Sequence, residues 1–99
     1  MRTLFKVRIP VEAGNRAIKD GTLPQIVGKF VETWKPEAIY FAAEEGQRCA
    51  YIFMDVKDPT DLPSIAEPFF MGLDAHVHNS ICMNLEDMKK GVEKAANSR

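Results

Sequence analysis

Residues 37–56, "EAIYFAAEEGQRCAYIFMDV", constrain this chain more than any other stretch. Two runs rich in aliphatic and aromatic residues, 37–43 and 48–56, flank "EEGQ", where Gly46 is free to take the positive φ of a tight turn. The pattern predicts an antiparallel hairpin, and with it an antiparallel sheet.

The remaining elements arrange themselves around that hairpin. Residues 2–10 alternate Thr3, Phe5, Val7 and Ile9 with Arg2, Leu4, Lys6 and Arg8, a strand that Pro10 closes. "VEAGNRAIKDG" reads as a short helical turn ended by Gly21. Thr22 then caps a helix, with Gln25 three residues on, and Ile26, Val27, Phe30, Val31 and Trp34 form its apolar stripe until Lys35-Pro36 stops it. A second helix is expected over 57–73, capped by Asp58 or Thr60, with Leu62, Ile65, Ala66, Phe69 and Phe70 as its stripe. Pro68 removes a backbone donor and predicts a bend or an early stop there. Residues 74–83 read as a fourth strand. Asn84 caps a last helix with a narrow stripe of Leu85, Met88, Val92 and Ala95 or Ala96, and the tail 97–99 should fray. The order β-α-β-β-α-β plus a C-terminal helix is an α+β, ferredoxin-like arrangement. It implies a sheet of spatial order 4-1-3-2, both crossover helices on one face and the other face open.

At 99 residues the chain is sized for one domain, 1–99. Thirteen basic and fourteen acidic side chains give a net charge of −1, without the surplus of cations that nucleic-acid binding needs. No apolar run is long enough to span a membrane. The opening "MRTLFKVRIP" alternates like a strand and lacks the continuous apolar core of a signal peptide, so a cytoplasmic location is expected. Cys49 and Cys82 then read as free thiols, and no CxxC or zinc spacing occurs. No metal or cofactor is read from the residues.

Strand parity sorts the sheet into two faces. Phe5, Val7, Ile9, Ala50, Ile52, Met54, Val56, Val77, Ile81 and Met83 form an aliphatic set that belongs under the helices. Leu4, Lys6, Arg8, Cys49, Tyr51, Phe53, Asp55, His76, His78, Ser80 and Cys82 form the other. Strand two is apolar on both sides and presents either Tyr40 or Phe41 with this second set. That set is too apolar for a plain solvent face and too ionisable for a dry core. Two such sheets meeting face to face would cover it, so a homodimer is expected.

The βαββαβ order, the mixed open face and the segment "DAHVHNSICMNLEDMKKG" together resemble the dimeric α/β-barrel superfamily, and within it small uncharacterised bacterial domains. The resemblance implies two sheets packed into a barrel. In that superfamily some members transform small organic molecules in the barrel: cofactor-free monooxygenases acting on aromatic polyketides, a lactone isomerase and haem-dependent enzymes. Others are regulatory or structural. No catalytic motif of the superfamily maps residue by residue onto this chain.

His76 and His78 lie about 6.5 Å apart along one face of strand four. They are the candidate acid/base residues. A metal needs a third ligand, but the neighbouring strand offers Lys6 and Arg8, which repel a cation. Those two could hold a carboxylate, phenolate or enolate, with Tyr51, Phe53 and Asp55 completing a ligand wall. Cys82 stands about 13 Å along the strand from His78, too far to join it. Two readings follow. One is a homodimer enclosing a small organic ligand, with proton transfer on, or oxygenation of, an aromatic or enolisable compound. The other is a non-catalytic structural or regulatory homodimer that uses the same face as interface.

Overall fold

The structure, a computed structural model, describes residues 1–98. Its elements are β1 (Arg2–Ile9), α1 (Val11–Lys19), α2 (Thr22–Trp34), β2 (Ala38–Glu44), β3 (Gln47–Asp55), α3 (Leu62–Leu73), β4 (His76–Ile81) and α4 (Leu85–Asn97). The four strands form one antiparallel open sheet in the order β2-β3-β1-β4, which is the expected 4-1-3-2 read from the opposite edge.

The hairpin is as tight as the sequence suggests. Glu44 pairs with Gln47, and the two turn residues, Glu45 (φ 53°) and Gly46 (φ 77°), are both left-handed, as a two-residue type I′ turn requires. Residues 11–19 exceed the expected helical turn and make a nine-residue helix. Gly21 is left-handed (φ 81°) and occupies the N-cap position of α2, while the Asp20 carboxylate accepts from the Thr22 N–H at 2.9 Å. Thr22 is therefore the first helical residue, not the cap. Asp58 accepts from the N–H and hydroxyl of Thr60 at 2.9 and 2.7 Å, holding a 3-10 turn (Pro59–Asp61) that leads into α3.

Pro68 neither stops nor shortens α3, which runs on to Leu73 and ends at left-handed Asp74 (φ 51°). The reason is placement. Ile65, Phe69 and Leu73 anchor the helix in the core on both sides of Pro68, while Pro68 and Ser64, whose carbonyl loses its partner, face solvent.

The core lies between one sheet face and α1–α3. Phe5, Val7, Ile52 and Met54 are almost fully buried beneath Phe30, Ile65, Phe69 and Leu73, with Phe30 and Phe69 ring centroids 5.2 Å apart. Register settles strand two: Ile39 and Phe41 face the helices, opposite Ile52 and Ala50, and Tyr40 lies on the open face opposite Tyr51. The aliphatic set fails at its far end. Ile81 and Met83 are 66% and 63% exposed, because the helix layer does not reach the last residues of edge strand β4.

α4 buries no side chain and makes no substantial packing contact with any other element. Its first turn is secured by a complete capping box between Asn84 and Asp87 and by an Arg2–Asp87 ion pair at 3.6 Å. The molecule measures 55 × 28 × 18 Å, with a radius of gyration of 15.9 Å. A compact chain of this length would have a radius of about 13 Å. Arg99, part of the tail expected to fray, lies outside the described residues. Among the described residues no helix is long and apolar enough to cross a membrane.

Candidate functional site

The register places the open-face residues in rows across the sheet. One row runs His78, Lys6, Tyr51, Tyr40; the next runs His76, Arg8, Cys49, Ala42. On the other side of the first lies an apolar row of Ser80, Leu4, Phe53 and Ala38. Parity thus brings His76, His78, Lys6, Arg8, Tyr51 and Phe53 together. Asp55 stands apart. It pairs in register with Arg2, about 13 Å along β1 from Lys6, and its carboxylate is engaged by the Met1 ammonium at 2.7 Å. That contact holds Asp55 below the usual carboxylate range.

The polar centre of the face is Glu44, which the sequence reading did not select. Its carboxylate takes an ion pair from Lys6 Nζ at 2.6 Å on one oxygen and a hydrogen bond from the Tyr51 hydroxyl at 2.9 Å on the other. Lys6 and Tyr51 together hold Glu44 ionised to lower pH than usual. In return Tyr51, donating to a carboxylate, is pushed up to about 12. Tyr51 is therefore a firm hydrogen-bond donor at neutral pH and a poor base. Arg8 Nη1 reaches Glu45 Oε2 at 3.3 Å, and its Nε is buried without a partner. The signal for both acids lay in "EEGQ": once Tyr40 is placed on the open face, Glu44, four residues on, must share it.

Both histidines are exposed on edge strand β4. Cys82 lies just past its end, where its N–H bonds the Arg2 carbonyl at 3.1 Å, and Cys49 is buried beside Tyr51. Among the described residues no three His, Cys, Asp or Glu side chains gather closely enough to hold a metal ion. The face can therefore offer hydrogen-bond donors, one incompletely satisfied guanidinium, two imidazoles and aromatic surface.

The most apolar hollow lies on the opposite side of the sheet, between α2 and the β2–β3 hairpin, with a volume of about 520 Å³. The double apolarity of strand two was its sequence signal, since Phe41 belongs to this side. No protein-family model, curated protein or solved structure matches this chain.

Proposed function

We propose that this chain works as a ferredoxin-like homodimer whose open sheet faces oppose each other and enclose a site for a small organic anion. The observation that carries the reading is Arg8. Its Nε is shielded from water on an otherwise open face and has no acceptor. An unmade bond of this kind costs about 1–3 kcal/mol, more for a charged group, and an enolate, phenolate or carboxylate would supply the acceptor. Arg8 is the anion holder in preference to Lys6, whose charge Glu44 already meets at 2.6 Å. His76 is its cross-strand neighbour and so the nearer general base, with His78 one row away. If the site is catalytic, the chemistry is proton transfer on, or oxygenation of, an aromatic or enolisable compound, with Tyr51 and Phe53 as the aromatic wall.

The second reading is a non-catalytic homodimer. It is favoured by the ion pairs of Lys6 with Glu44 and Arg8 with Glu45, which already spend much of the face's charge.

Light scattering at micromolar concentration is expected to give twice the 11.1 kDa chain mass. A monomer removes the enclosed site. With dimerisation established, 4-nitrophenolate serves as an absorbance probe. Binding weakened at least tenfold by Arg8→Gln supports the anion site, and binding that ignores the substitution leaves the non-catalytic reading.

A further inference from the structure

The hollow behind the hairpin is a binding site of a different kind. We infer that it takes the apolar chain of a small monocarboxylate, with Arg48 holding the carboxylate at one end. The inference does not rest on the open face or on dimerisation, since this groove is on the other side of the sheet.

The volume of about 520 Å³ falls within the range of small-molecule sites. Its walls are Leu23 and Val27 from α2, Phe69 from α3 and Phe41 and Ala43 from β2, with Arg48 the one charged residue. Phe41 is 61% exposed although it faces the helix layer, because α2 stands off from the edge strand at this point. Water held against such walls has few groups to bond, so an apolar chain displaces it favourably.

Arg48 supplies the polarity. Arg2, Arg8 and Arg16 each pair with a carboxylate, in Glu37, Glu45 and Asp74. Among the described residues no acidic side chain pairs with Arg48. Its fixed contact is from Nη2 to the neutral Asn15 Oδ1 at 3.0 Å. Gly14 makes room for this placement: a Cβ there would stand 2.6 Å from Arg48 Nη1. The guanidinium is thus held across α1, half-buried, at the end of an apolar groove and without a counter-ion. An apolar tail of about eight to ten carbons ending in a carboxylate matches that combination in shape and sign.

Decanoate is the probe, with decanol as its uncharged counterpart, and binding is followed by calorimetry and by amide shifts of residues 41–50. Decanoate should bind, and Arg48→Gln should weaken it about tenfold or more while changing decanol little. Ala43→Trp, at an exposed position, should block both without unfolding the chain. The inference is overturned if decanoate does not bind at millimolar concentration, or binds the Ala43→Trp chain unchanged. Equal losses of decanoate and decanol in Arg48→Gln overturn the carboxylate assignment. If the parent chain fails to bind decanoate and Ala43→Trp changes the oligomeric state, the groove belongs to a second copy of the chain and the inference is equally overturned.

Discussion

Glu44 sets the electrostatics of the open face, and its links to Lys6 and Tyr51 give opposite pH dependences. Glu44 titrates below its ordinary 4.5, so its contribution to stability is present above that value and is lost as pH falls through the lowered one. Tyr51 is raised from 10.0 to about 12, so its contribution is present below pH 10.0 and is lost as pH rises towards 12. The chain has two tyrosines, so a Tyr40→Phe background isolates Tyr51 for tyrosinate absorbance titration. There the Tyr51 step should sit near 12, and adding Glu44→Gln should bring it down towards 10.0. A step that stays in place would show that Glu44 does not hold the phenol proton. Parity alone was enough to gather Lys6, Arg8, Tyr51 and the histidines, because strand alternation is geometric. Their partners were not legible. Glu44 and Glu45 sit at a turn, and the face a turn residue joins depends on the register of a strand that is apolar on both sides.

At the scale of elements, local signals succeeded where burial agreed with them. The "EEGQ" turn and the Asn84 cap both stand where the residues place them. Pro68 shows the opposite case. Its local cost predicts a bend or an early stop, and the early stop does not occur, because three core anchors, Ile65, Phe69 and Leu73, outweigh one lost hydrogen bond that solvent can replace. α1 is longer than the short turn expected of "VEAGNRAIKDG", and Gly14 within it has a packing role, since its missing side chain makes room for the crossing Arg48. α4 tests the value of local signals in isolation. At 13 residues and without packing, it is near the length at which a helix is marginal in water, so its capping box should matter more than usual. Asn84→Ala is expected to cost α4 about 1 kcal/mol. Hydrogen exchange should speed up across residues 88–97 while the sheet amides keep their protection. Uniform loss of protection would mean that α4 is coupled to the core, against the absence of packing.

The whole molecule is extended because α4 does not pack substantially on any other element of the chain. Its own stripe is in water: Leu85 and Val92 are 65% and 60% exposed, with Met88 between them, and Ile81 and Met83 just before the helix are exposed as well. A stripe of this length left in water is an unusual cost for a helix with so little else to hold it. Secondary-structure patterning could not reveal this, because a 3.6-residue period shows that a helix has an apolar face and not which surface covers it. The open-face homodimer proposed above would give the stripe of this α4 arm a second copy to meet only at the margin of the paired sheets, where a contact would repeat self-complementarily about the twofold axis. The arm can be separated from the rest of the fold because none of its side chains is buried. Met88→Glu with Val92→Glu should leave thermal unfolding of the single chain nearly unchanged, since no core contact is removed. The same pair should weaken dimerisation at least tenfold in sedimentation equilibrium, because each dimer would then bury four carboxylates or lose both arms. If the variant dimerises as tightly as the parent, the stripe is not part of the interface. If it instead unfolds the chain, α4 supports the fold of its own chain and is not a separable arm.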